Sequence, residues 1–331
     1  MAFDNIKLDK GLYTGSKGFT ASLEEIDPSA NYAGTELEGL DAYQRQLKRF
    51  DIKVSGVNSD TVSKFFQTTD SAALFPEYVS RAVAQGVEYV DDVSKLVATT
   101  TTIDSLDYRS VESVPGADDK QFAVVGEGAF IPETKIKTKE KLTRLYKRGR
   151  MLTASYEAIK FQKLDLFTVT LKQIGAYIAK SQMEDLLMTI YDADIKQIQC
   201  ESTSYTYKDL LNLWADFNPY TLTDMIVGPD DITSFLDMSE FKDSSAGLNF
   251  HGTGNMVTPF GASVTVTGIM PPNSIIAIDR SAAVEKVQVG DIATEYDKLI
   301  DRQLERATIT ATAGFSVIFS DAIKMLLTKT E

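Results

Sequence analysis

The side chains best suited to chemistry in this chain are few, and their spacing assembles no catalyst. The single histidine, His251, stands in Asn249-Phe-His-Gly-Thr-Gly-Asn255. An imidazole there could serve as a general base. No Ser or Cys nucleophile motif lies near it, and no second His exists to make a metal pair, so His251 reads as a loop residue. Gly252-Thr-Gly254 and Gly126-Glu-Gly128 lack the spacing of either phosphate-cradling loop. Adjacent acids occur at Asp91-Asp92, Asp118-Asp119 and Asp230-Asp231. Neighbouring carboxylates point to different sides of a strand or helix, which suits turns and caps better than a catalytic dyad. Asp297, Asp301 and Glu305 recur every four residues, shadowed by Lys298, Arg302 and Arg306. That pattern could hold a divalent ion, but salt links or a charge ladder between subunits fit it better. One cysteine, Cys200, cannot form an intrachain disulfide, which fits synthesis in a reducing compartment. The expectation is a protein with no catalytic residue, no cofactor and no metal.

One electrostatic signal stands out. Lys135, Lys137, Lys139, Lys141, Arg144, Lys147, Arg148 and Arg150 fall within sixteen residues that contain one acid, Glu140, while the whole chain carries −13. A nucleic-acid patch would want interleaved aromatics for base stacking, and Tyr146 is the only one in the window. A cationic face that docks on an acidic neighbouring subunit explains the same residues and is the favoured reading; a nucleic-acid clamp and a plain solvated face are the alternatives. The acidic remainder argues against general nucleic-acid binding, and it suits either solubility or a surface that sits near nucleic acid without adhering.

These charges need elements to carry them. With 331 residues, 43% hydrophobic and 24% charged, the chain can bury a sizeable core in one elaborated domain or two to three lobes. No apolar run approaches the length of a bilayer span, and the N-terminus lacks the pattern of a secretion signal. Residues 1–72 are polar and read as an extended arm carrying a short helix over Glu36–Phe50. Pro76 suits the first turn of a helix whose apolar face holds Tyr78, Val79, Ala82 and Val83. Val97–Ile103 is a β-branched strand. Asp104–Met151 reads as a long protruding hairpin around the turn cluster Val114–Asp119, with Gly149 closing its basic strand. An isolated hairpin is marginal in water, so a neighbouring subunit is its natural support.

Asp165 then caps a helix over Leu166–Tyr191, about 39 Å long. Phe167, Leu171, Ile174 and Ile178 form one apolar stripe, and Met183, Leu186, Leu187 and Ile190 form a second, displaced around the axis. Such a rod meets different neighbours along its length. Beyond Asp192 a separate lobe offers helices at Tyr207–Phe217 and Asp230–Leu236, a loop over Asp243–Asn255, and strands at Asp224–Gly228, Ala262–Gly268 and Ser274–Asp279. A long strand follows at Arg306–Phe319, which Asp321–Leu327 closes.

The order of these parts resembles the major capsid proteins of tailed bacteriophages, of the Hong Kong 97 type. The resemblance is carried by Leu74-Phe-Pro-Glu-Tyr78 before a helix, Val125-Gly-Glu-Gly-Ala-Phe-Ile-Pro132, and the basic strand ending in Met151-Leu-Thr-Ala-Ser-Tyr-Glu157. Asp165 and the long helix through Asp185-Leu-Leu follow, then Pro259-Phe-Gly-Ala-Ser-Val264, Met270-Pro-Pro272 and the closing Arg306–Leu327. It covers roughly residues 72–328. It implies an α+β fold with an N-terminal arm (1–72), a first peripheral part (73–103), an extended loop (104–151), a peripheral spine helix (152–194), an axial domain (195–295) and a returning peripheral strand (296–331).

It implies as function a structural subunit that self-assembles into an icosahedral shell around the double-stranded DNA of a tailed phage or prophage, located in the virion after assembly in the host cytoplasm. A nanocompartment shell of the encapsulin kind is the alternative. The implied partners are hexamers and pentamers of the same chain, a separate scaffolding protein, a portal, decoration or head-completion proteins, and DNA enclosed without sequence-specific binding; no membrane is implied.

Overall fold

The computed structural model describes residues 2–13, 18–112, 124–127, 137–155, 157, 161–242 and 256–329. Single helical turns aside, the elements in chain order are helices α1 (Phe19–Ile26), α2 (Ala42–Arg49) and α3 (Phe75–Val90), then strands β1 (Thr99–Ile103), β2 (Val111–Glu112), β3 (Lys137–Thr138) and β4 (Leu145–Ser155). Helix α4 (Leu164–Tyr191), β5 (Lys196–Gln199), α5 (Tyr207–Asp216), β6 (Asp224–Val227) and α6 (Pro229–Asp237) follow. The chain ends in β7 (Ser263–Val266), β8 (Ser274–Ile278), β9 (Val284–Val289), β10 (Ala293–Leu299), β11 (Leu304–Val317) and β12 (Ile323–Leu327). Two compact units result: one of Met1–Asp91, Lys147–Lys180 and Asp291–Ala311, the other of Asp92–Tyr146, Ser181–Gly290 and Thr312–Glu331.

In the first unit the N-terminal residues are not an outstretched arm. Ile6, Leu8, Phe19, Leu23, Val62 and Phe65 are buried in one core with α3 and with Phe167, Leu171, Ile174 and Ile178 of α4. Outside the helix expected over Glu36–Phe50, the N-terminal apolar residues follow no regular period, which is why the stretch reads as a tail although Ile6, Leu8, Phe19, Leu23, Val62 and Phe65 are buried. The expected short helix is present as α2, started by a capping box in which Asp41 accepts from the Gln44 amide and the Gln44 side chain accepts from the Asp41 amide. Arg81 of α3 ties the N-terminal helices down. Its guanidinium donates to Asp41 (2.8 Å), Glu77 (2.9 Å) and Thr20 (2.8 Å) and stacks over the Tyr43 ring. Strand β10 pairs antiparallel with the first part of β11, Asp297 opposite Arg306.

In the second unit, Met183, Leu186, Leu187 and Ile190 bury against Val93, Leu96, Ile276, Val284 and Phe315. The two displaced stripes of α4 therefore serve two different cores, as their angular offset requires. Strand β9 lies between β1, which it meets in parallel, and the last part of β11, antiparallel. A second sheet has the order β5-β12-β8-β6-β7. Its central strand β8, Ser274–Ile278, is buried at every position, the pattern of a strand covered on both faces. The segment expected to close β11 instead joins this second sheet as β12, antiparallel to β8 and parallel to β5.

One ionic group, in which Lys324 is buried while Asp216 and Lys196 reach the surface, holds α5 to this sheet. Lys324 of β12 and Lys196 of β5 donate to the Asp216 carboxylate at 2.7 and 2.6 Å, and Lys324 also donates to the Asp216 carbonyl. Burial pushes the Asp216 carboxyl upward, but the hydrogen bonds from Lys196 and Lys324 outweigh it and hold the pKa below the ordinary 3.8. The folded state thus binds this proton more weakly than the unfolded chain. Its stabilisation is present above about pH 4 and is lost as pH falls through the folded pKa. Urea unfolding midpoints measured from pH 6 downward should show an acid limb below about pH 4 that flattens in Lys324→Met.

Candidate functional site

The basic stretch that dominates the sequence begins at a short two-stranded stem. Strands β2 and β3 pair antiparallel, Glu112 opposite Lys137. Below them the Lys139 amide donates to the Ser110 carbonyl at 2.9 Å and the Thr143 amide to the Tyr108 carbonyl at 2.8 Å. Residues 113–123 and 128–136, which would carry most of the expected hairpin, lie outside the described residues.

The rest of the basic stretch differs from expectation. Strand β4 runs through Gly149 to Ser155 and pairs with β11 of its own chain. Glycine is required where these strands meet: a Cβ on Gly314 would overlap the Arg144 carbonyl oxygen and come within 2.9 Å of Leu145. The second half of the ribbon therefore has intramolecular support. The reason is that β11, fourteen residues long, outlasts the partners a simple reading gives it.

The eight cations separate accordingly. Lys135 lies outside the described residues, and of Lys137 only the backbone position in β3 is described. Lys139 is half-buried and donates from Nζ to the Val317 carbonyl at 2.7 Å, so it anchors the stem on β11. Lys141, Arg144, Lys147 and Arg150 are exposed, and Arg148 is half-buried. Arg144 stacks over Tyr146 with 5.0 Å to the ring centroid, and Arg150 over Tyr177 with 5.8 Å. Along β4, Lys147, Gly149, Met151 and Thr153 share the exposed face at the two-residue period of a strand. Such a face, cationic with an exposed methionine, can dock on an acidic and partly apolar surface.

The group that holds the stem escaped the sequence reading. Glu285 of β9 is 5% exposed. Its carboxylate accepts from Thr101 of β1 (2.5 Å), from the Tyr108 hydroxyl (2.7 Å) and from the Ser110 hydroxyl. The carboxylate, foremost through that hydrogen bond, raises the Tyr108 pKa. Partners 175 to 184 residues away leave no local signal.

The other candidates resolve into structural roles. Asp92 pairs with Lys95 at 2.8 Å. Asp231, its pKa raised by burial, accepts from the Asn273 amide at 3.1 Å. Asp297 pairs with Arg306 across the β10–β11 ladder at 2.8 Å; the chain turns at Ile300–Arg302 and Glu305 stands opposite Lys298 on the returning strand, so the four-residue spacing creates no common face. Burial pushes the Cys200 thiol up to about 11, which keeps it protonated and unreactive. His251, Gly252, Gly254 and the Asp118-Asp119 pair lie outside the described residues. Among the described residues no cluster of three or more His, Cys, Asp or Glu could hold a metal, and no helix is long and apolar enough to cross a membrane.

No protein-family model and no curated protein matches the chain. Solved structures do. A virus-like particle from Pyrococcus furiosus is 14% identical, with a TM-score of 0.52 over 76% of this chain and 98% of its own. The capsid of Cyanophage P-SCSP1u is 13% identical, with a TM-score of 0.50 over 72% and 88%. The holo-SrpI encapsulin complex from Synechococcus elongatus is 11% identical, with a TM-score of 0.50 over 71% and 86%. At these identities the likeness establishes the fold: the chain has the α+β, Hong Kong 97-like architecture.

Proposed function

We propose that this chain is a structural shell subunit, the major capsid protein of a tailed phage or prophage, which self-assembles around double-stranded DNA and works without catalysis. The observation that supports it most is the extent of the structural likeness, which takes in 98% of the virus-like-particle chain. Fold alone does not dictate function. Two features of this chain point the same way: the exposed cations of β4 stand against a net charge of −13, and among the described residues Asp92, Asp231 and Asp297 are committed to ion pairs and backbone hydrogen bonds. On this reading residues 104–151 are the intersubunit loop, and Lys141, Arg144, Lys147 and Arg150 dock on acidic surfaces of sister copies. Hexamers and pentamers in the virion, a scaffolding protein, a portal and head-completion proteins belong to the same proposal, with assembly in the host cytoplasm.

Negative-stain microscopy of the purified chain tests it. Closed particles are expected; monomers that persist across salt, pH and concentration would remove the reading. The encapsulin-like alternative draws on the similarity to the SrpI complex. Nuclease-protected double-stranded DNA inside particles favours the phage capsid, and co-purifying cargo enzyme favours the nanocompartment.

Arg144→Glu with Lys147→Glu tests the docking role. Both side chains are exposed, and exposed charges contribute about 0–1 kcal/mol to folding while setting register and specificity across an interface. Particle yield should fall at least tenfold while the melting temperature moves by less than about 4 °C. Normal yield would contradict the assignment. Arg148 is left in place because it is half-buried.

A further inference from the structure

We infer that Glu285 is the positioning residue of the basic stem, a carboxylate latch that holds the stem beside which Lys141 and Arg144 are presented. The inference rests on the shell reading for its consequence, but the latch itself is a matter of geometry. A carboxylate has only acceptor sites, and this one spends them on hydroxyls from two elements: Thr101 of β1 and the paired stem residues Tyr108 and Ser110. Hydrogen bonds to a charged acceptor are roughly twice as strong as neutral ones, and burial strengthens them further.

The stem is held a second time on its other strand, where Lys139 donates to the Val317 carbonyl at 2.7 Å. Glu285 and Val317 lie on neighbouring strands, β9 and β11, with Glu285 opposite Ser316. The stem is thus pinned to two adjacent strands through both of its own. A stem fixed at two points on a sheet cannot swing about its root. The exposed cations Lys141 and Arg144 that follow the stem are therefore presented at a set position rather than sampled by a free tether, which lowers the entropy lost on docking.

The latch is tested on the full chain with Tyr108→Phe combined with Ser110→Ala, and separately with Glu285→Gln. The pair of loop-side substitutions leaves β1 and β9 intact, so folding is preserved if Glu285→Gln proves too disruptive. Hydrogen exchange is read at the Lys139 and Thr143 amides, which donate to the Ser110 and Tyr108 carbonyls, and particle yield and size are read by microscopy. Exchange at those two amides should rise at least tenfold while amides of α4 and β12 stay unchanged, and particle yield should fall or particles become irregular. Unchanged exchange at both amides would overturn the latch. Faster exchange with normal particles would overturn its role in positioning. Wild-type chains that form no particles would overturn the shell reading, while the exchange data still decide the latch.

Discussion

Replacing Arg45 with Met is expected to destabilise the first unit by about 3–5 kcal/mol, the cost of removing one partner from a buried ion pair. Arg45 is fully buried, and Asp27 is 3% exposed. The guanidinium donates from Nε to the Asp27 carboxylate at 2.9 Å, from one terminal nitrogen to Ser29 Oγ (2.8 Å) and the Leu40 carbonyl (2.7 Å), and from the other to the Asp27 carbonyl. It also lies over the Tyr32 ring at 4.4 Å, whose hydroxyl donates to Asp27 at 2.5 Å. With Met in place, the Asp27 carboxylate keeps, among the described residues, the Tyr32 hydroxyl, and Ser29 Oγ and the Leu40 and Asp27 carbonyls each lose the arginine's hydrogen bond.

Arg45→Lys should recover little, because an ammonium lacks the planar fork that reaches acceptors on both sides. Adding Asp27→Asn to Arg45→Met should restore part of the loss by removing the stranded charge, which a buried-charge account requires and a pure packing account does not. Urea unfolding of the three variants measures this; a loss under about 1 kcal/mol for Arg45→Met would place the pair in the range of exposed salt bridges and sink the expectation.

Arg45 also shows why the N-terminal residues were illegible in the sequence. A single arginine in a polar stretch reads as a solvated side chain, because nothing local says that Asp27, Ser29 and Leu40 converge on it. The same holds for Glu285, whose hydroxyl partners come from a distant strand and stem. Where the code is local, the sequence was plain. The two stripes of α4 differ in angle and bury in two cores, the Pro76 helix start is present in α3, and β6, β7, β8 and β11 stand where β-branched runs put them.

Strands β5, β9 and β10 went unread. Lys196–Gln199, Val284–Val289 and Ala293–Leu299 mix charged and polar residues into their runs, and their strand character is imposed by the ladders they join. The basic stretch was legible as a charge pattern but not as a strand that finds β11, since pairing partners are set by tertiary register rather than composition. Its separation into an anchoring lysine, Lys139, and exposed cations has no sequence signature at all.

Gly175→Ala and Gly86→Ala should each unfold or severely loosen the first unit. These two glycines mark the point where α3 and α4 cross. A Cβ on Gly86 would overlap the Lys172 carbonyl oxygen and lie 2.6 Å from the Lys172 Cα; a Cβ on Gly175 would overlap the Val83 carbonyl oxygen and lie 2.8 Å from the Val87 amide nitrogen. The atoms in the way are backbone on both sides, so no rotamer change relieves the clash and the helix axes must move apart. Moving them strips contact from Val79, Val83, Leu171 and Ile174, all buried in the core that the two helices share. Overpacking typically costs about 1–3 kcal/mol; here the loss should lie at or above the top of that range, because the obstacle is main chain.

Alanine is the better helix former by about 1 kcal/mol, so a net stabilisation in either variant would show that the helices do not approach this closely. The double variant gives the sharper reading. Once one methyl has forced the helices apart, the second occupies space already opened, so the combined loss should be less than the sum of the two single losses, a coupling expected of residues that share one contact. Strict additivity in chemical denaturation would mean that the two glycines act independently, and the reciprocal crossing would be the wrong account of why α4 carries its only glycine at position 175.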